Sequence, residues 1–98
     1  MRKISLIPYK IDDGQEYEVI PSLVSALFIP ALKHNARGLI ESDRVARKIE
    51  QAEGSVLLEE SEYSLVKQAF ETFTGYKRQD LELVSRVMDA ETVEVKEV

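Results

Sequence analysis

One histidine, eighteen carboxylates and no cysteine set the limits of the side-chain chemistry open to this 98-residue chain. Disulfides, thiolate zinc sites and cysteine nucleophiles all need a residue that is absent. His34 stands between Lys33 and Asn35. A catalytic or metal-binding histidine needs converging groups, and a Ser–His dyad has no supporting motif here, so His34 reads as an ordinary loop histidine. The carboxylates come in sets, Asp12/Asp13, Glu59/Glu60/Glu62 and Glu91/Glu94/Glu97. Acid–base catalysis needs two carboxyls held in one cleft with separated pKa values, not simply two in one sequence. Glu59, Glu60 and Glu62 precede an apolar helical run, where a helix N-terminus favours negative charge and already accounts for them. The segment IDDGQEYE lacks the alternating oxygen ligands of an EF-hand. The glycines at 14, 38, 54 and 75 are isolated turn or helix-end residues and form no phosphate loop. The chain is therefore expected to carry no catalytic residue, cofactor or metal.

Three stretches are candidates for contact surfaces. Lys33, Arg37, Arg44, Arg47 and Lys48 place five cations within sixteen residues, but Glu41, Asp43 and Glu50 interleave with them. The net charge of −5 opposes nonspecific binding to nucleic acid or anionic membranes. A solvated helix face is the expected role of this basic set. Tyr76-Lys77-Arg78 puts an aromatic ring beside two cations in a turn, and exposed Tyr and Arg are what protein interfaces favour, so this is the preferred contact site. The run Leu27–Leu32 supplies the other candidate residues, Phe28, Ile29 and Leu32. Helical periodicity turns Leu27 and Phe28 toward the core, and Ile29 and Leu32 are then surplus. Such a rim either forms a subunit interface or covers a sheet edge, and both readings stay open.

The elements that must position these residues are organised around Gly54–Gly75. Val56, Leu57 and Leu58 read as a short strand, followed by the acidic cap region and a helix through Tyr63, Val66, Phe70 and Phe73, flanked by Leu65 and Ala69. Residues 3–20 read as a β-hairpin turning at Asp12-Asp13-Gly14, with a change of phase near Pro8. Ile20, Leu23, Val24, Leu27 and Phe28 form one helical face, with Ser22 as cap and Pro30 as the stop at about Ile29. Ala31–Asn35 is a loop. A further helix lies within Gly38–Glu53, with Leu39, Val45, Ala46, Ile49 and Ala52 facing the core and Ser42 as a cap if it starts late. Asp80 is an N-cap for a last helix to about Asp89, with Leu81, Val84, Val87 and Met88 as its buried stripe. For residues 91–98, terminal position and charge favour fraying over a fourth strand.

These elements predict an α+β fold, a small mainly antiparallel three-stranded sheet (the N-terminal hairpin plus strand 55–58) with three to four helices packed on one face. Residues 1–90 form a single domain and 91–98 an acidic tail. Apolar residues at 44% and charged residues at 32% fit a globular chain. The N-terminal segment is too short in its apolar stretch for a signal peptide, and no apolar run approaches the roughly 20 residues of a membrane helix. A soluble cytosolic protein is expected.

The order of an extended N-terminus, SLVSALFIPAL, ARKIEQA, SVLLEESEYSLVKQAFETFTG and DLELVSRVMDA resembles small uncharacterised proteins of tailed bacteriophages and prophages. The resemblance implies an accessory role in the host cytoplasm: assembly, or control of a phage or host protein by binding. It carries no catalytic residue with it. The expected function is a non-enzymatic protein-interaction module, acting on itself as an oligomer or on another protein. The alternative is an acidic inhibitor that covers the basic, nucleic-acid-binding surface of a host protein.

Overall fold

The computed structural model describes residues 1–11 and 14–94. The chain is α+β, with a three-stranded antiparallel sheet, a separate two-stranded sheet and four α-helices among the described residues. The central strand is β1 (Arg2–Ser5), which pairs with β4 (Ser55–Leu58) in the register Arg2↔Leu58 to Ser5↔Ser55. Its other edge takes β5 (Glu91–Thr92), and Val93 N–H donates to Met1 O (2.7 Å) to close the ladder. The sheet order is thus β4-β1-β5. Alternation fixes its inner face: Ile4, Val56 and Leu58 are buried. Arg2 lies across the ring of Tyr63 at 4.9 Å while donating to Glu60 and to Ala90 O.

The hairpin forms, but outside this sheet. β2 (Tyr9–Lys10) and β3 (Glu16–Tyr17) make a two-stranded ribbon of their own. The reason lies at Leu6–Pro8. Leu6 N–H still bonds Gly54 O at 2.9 Å, and then Pro8, which has no N–H to give, ends the ladder and lets the chain leave the sheet. Tyr9 and Tyr17 stack at 4.8 Å between ring centroids to hold the ribbon together. The expected turn residues Asp12 and Asp13 lie outside the described residues, as do 95–98 of the tail. The third strand therefore comes from Glu91–Thr92, where fraying was expected.

α1 (Val19–Ala26) begins at Glu18, and Ser22 does not cap it: its hydroxyl donates back to Glu18 O from inside the first turn. The helix stops before Pro30, which instead opens a 3₁₀ turn, Pro30–Leu32, closed by Lys33 at φ +51°. Asn35 caps α2 (Ala36–Gln51) by accepting the Gly38 N–H at 2.8 Å. Ser42 is fully buried in mid-helix and caps nothing. Leu39 is 51% exposed instead of facing the core. The inner track defined by Ser42, Val45, Ala46 and Ile49 passes four residues back through Gly38, whose missing side chain leaves room for His34 Nδ1 at 3.3 Å from where a Cβ would stand.

α3 (Glu60–Thr72) buries Tyr63, Val66, Ala69 and Phe70, as its periodicity predicts. Phe73 falls just beyond its end and is partly exposed. A 3₁₀ turn, Arg78–Asp80, leads into α4 (Leu81–Met88), and its entry rotates the stripe: Leu83 and Val87 are buried, whereas Leu81 is 65% exposed. The core joins the inner sheet face to all four helices. Each fully buried residue such as Ile4, Leu23, Ile49 or Leu58 contributes about 1.5–3 kcal/mol by leaving water. Among the described residues no helix is long and apolar enough to cross a membrane.

Candidate functional site

The end of α3 builds the most distinctive surface. Gly75, at φ +94°, reverses the chain so that Phe73 and Tyr76 fold back on the last helical turn. Tyr76 donates its hydroxyl to Phe70 O at 2.9 Å, satisfying one of the carbonyls that a helix C-terminus leaves without a partner. The Phe73 and Tyr76 rings meet edge to face at 4.8 Å, and Phe70 lies 6.1 Å from Tyr76.

The two-stranded ribbon fixes the opposite wall. Tyr9 donates to Gln79 O (2.9 Å) and accepts the Leu83 N–H (3.3 Å), while Arg86 covers its outer ring face at 5.1 Å. Tyr17 donates to Asp80 Oδ1 at 2.5 Å, and the Lys77 N–H donates to Asp80 Oδ2 at 2.8 Å. Asp80 stands at the N-cap position of α4 but makes no side-chain bond to that helix; it closes the preceding 3₁₀ turn.

Between these walls lies an open cleft of about 320 Å³. Ala26, Ile29, Phe70, Leu83 and Val84 give it an apolar lining, and Phe73 and Tyr76 add aromatic surface. Ser22, Ser25, Tyr17, Lys77 and Asp80 supply the polar groups. Burial, followed by the hydrogen bond to Asp80, pushes the Tyr17 phenol up to about 12. Tyr76 is also raised, by burial first and then by the Asp80 charge. The Asp80 field thus reaches two rings of the cleft.

Of the six residues expected at an interface, the fold brings Ile29, Tyr76 and Lys77 to this cleft. Arg78 lines a neighbouring shallow groove with Tyr9 and Lys10. Leu32 packs against the core. Phe28, expected to face the core beside Leu27, follows the last turn of α1 and is 38% exposed, outside the cleft lining. Sequence reasoning missed Tyr17 as a wall residue and read Asp80 only as a helix cap. The spacing Lys77-x-x-Asp80, an acid three residues after an N-cap, was the available signal for a side chain reaching back across a turn.

The remaining candidates are accounted for by their partners. His34 Nε2 lies 2.6 Å from Leu27 O, and because a carbonyl only accepts, this nitrogen carries the proton. It cannot then take a proton from the Ser42 hydroxyl 3.3 Å away, so the pair is not arranged as a nucleophile and base. In the basic set, Arg47 pairs with Asp43 (2.9 Å) and Lys48 with Glu62 (2.8 Å). Arg44 shares a groove with Glu41, Glu59 and Glu62. Glu59 caps α3, and its N–H donates to Glu62 Oε1 at 2.9 Å, so this acidic set serves the helix start, as its position predicts. Among the described residues no three His, Cys, Asp or Glu side chains converge to hold a metal.

No family model matches the chain, and no curated protein or solved structure matches it.

Proposed function

We propose that this chain is a non-enzymatic interaction module that docks a partner protein by taking an apolar anchor side chain into the cleft between α1, the last turn of α3 and the 73–80 turn. The observation that carries this reading is the composition of the open cleft: exposed Phe73 and Tyr76 beside Ile29, over buried Phe70 and Leu83, with hydroxyls and one carboxylate among its polar groups. Aromatic surface around a small apolar depression is what interface anchors fill. At about 320 Å³ the cleft is at the lower end of ligand-pocket sizes, which suits a side chain better than a large cofactor. The resemblance to phage proteins makes the role a viral accessory or assembly one in the host cytoplasm, with a phage protein, a host protein or a second copy as partner.

Selection of peptides from a random display library tests this. Selected sequences should share an aromatic or aliphatic anchor. Tyr76→Ala should weaken their binding about tenfold or more, as for a central interface residue. Arg78→Ala, in the neighbouring groove, should change it little. Peptides that bind Tyr76→Ala as well as the parent would overturn the placement.

A second reading, an acidic inhibitor of a basic nucleic-acid-binding surface, draws on the net charge of −5. It calls for affinity that falls steeply with salt, whereas anchor docking loses little.

A further inference from the structure

We infer that the cleft selects a partner segment in which an arginine stands next to the apolar anchor, its guanidinium meeting Asp80. This rests on the docking reading above and specifies its partner. Among the described residues, Asp80 is the one carboxylate lining the cleft. Its two donors are both neutral, the Tyr17 phenol on Oδ1 and the Lys77 backbone N–H on Oδ2. Hydrogen bonds from neutral donors fix a carboxylate in place without cancelling its charge. Elsewhere Glu60, Asp43, Glu62 and Glu82 each have an arginine or lysine within 3.1 Å; among the described residues Asp80 has no such ion pair. Lys77 is exposed, and it is its backbone, not its ammonium, that bonds Asp80.

The cleft therefore sets beside aromatic rings a carboxylate that no ammonium or guanidinium among the described residues bonds, with the exposed Lys77 also on its lining. Each carboxylate oxygen has capacity for a second donor beyond the one it holds. A guanidinium fits both groups, because its plane stacks on aromatic rings and its edge donates to a carboxylate in a fixed fork. An ammonium would supply the charge without the stacking plane. The charge of the whole chain, −5, favours the approach of a cationic segment.

The probe is N-acetyl-phenylalanyl-arginine amide, compared with the same dipeptide carrying citrulline, which keeps the shape and removes the charge. Binding to the full chain is read from NMR shifts of residues lining the cleft. The arginine dipeptide should bind about threefold to tenfold more tightly at low salt, and the preference should shrink toward onefold at about 1 M salt. Asp80→Asn should abolish the preference. Glu71→Gln, which removes an equal charge at an exposed position of α3 outside the cleft lining, is the control and should retain the preference. Equal binding of the two dipeptides, a preference that survives Asp80→Asn, or one lost in Glu71→Gln would each overturn the selection for arginine by Asp80 while leaving anchor docking intact. Absence of cleft shifts with either dipeptide would overturn both readings.

Discussion

The starts of α3 and of the 3₁₀ turn before α4 use the same local device to different ends. In each, a carboxylate reaches back three residues to accept a backbone N–H: Glu62 from Glu59 at 2.9 Å, and Asp80 from Lys77 at 2.8 Å. Glu62 Oε1 also accepts from the Lys48 ammonium, which ties α2 to α3 and neutralises the charge. Burial alone would raise the Glu62 carboxyl, but the Lys48 and Glu59 hydrogen bonds and the Lys48 charge outweigh it and hold the group below its ordinary value. Asp80 instead receives a phenol, which anchors the two-stranded ribbon and leaves the charge uncancelled. One device is closed by a cation and serves stability. The other is open, and it borders the cleft.

Because α3 carries the closed device in its first turn and the floor of the cleft in its last, Phe70→Ala gives the largest expected effect. Phe70 is 5% exposed, and its truncation should cost about 3–5 kcal/mol in chemical denaturation. A near-neutral result would mean that the cleft has no core beneath it. Glu62→Gln should cost about 1 kcal/mol at neutral pH, from the lost charge of a partly exposed ion pair with Lys48, because the glutamine oxygen can still accept the Glu59 N–H. Since its folded carboxyl is held low, this contribution is present above the unfolded value of 4.5 and is lost as pH falls through the folded value. The gap between parent and variant should therefore close in acid; a gap that persists there would argue against the charge.

Tyr17→Phe should cost about 1 kcal/mol at neutral pH, one hydrogen bond at a partly exposed site. Here the sign is reversed. The folded phenol is raised from 10.0 to about 12, so its contribution is complete below the unfolded value and is lost as pH rises through that interval. Denaturation at about pH 9 and about pH 11, either side of the unfolded value, should show the parent losing more stability than the variant. The smallest effect belongs to Leu81→Ala. At 65% exposure, Leu81 should change stability by no more than about 0.5 kcal/mol, in contrast to Leu83 two residues on.

The α+β class, the strand Ser55–Leu58 and the long helices were legible because periodicity acts within one segment. The misplacements arise where a neighbour sets the phase. The 3₁₀ turn ahead of α4 moves Leu83, not Leu81, to the inner position, and the track of α2 passes through Gly38 instead of Leu39. Glu91–Thr92 lies where terminal position and charge favour fraying, and it becomes a strand because β1 offers it an open edge. The cleft was half visible. Tyr76, Lys77 and Ile29 were marked by residue type, but Tyr17 and Asp80 meet only because the hairpin leaves the sheet at Pro8 and docks across 63 residues of sequence.

The central position of β1 also sets a schedule. This strand is flanked by partners fifty or more and nearly ninety residues later in the chain. During synthesis Ile4 and Leu6 have no sheet to enter until β4 has emerged, and the second edge waits for Glu91–Thr92. Helices can form locally in the meantime, but the sheet that joins them must close long loops, which slows folding. Folding should therefore take milliseconds or longer, not the microseconds of simple helical bundles, with β1 docking among the late events.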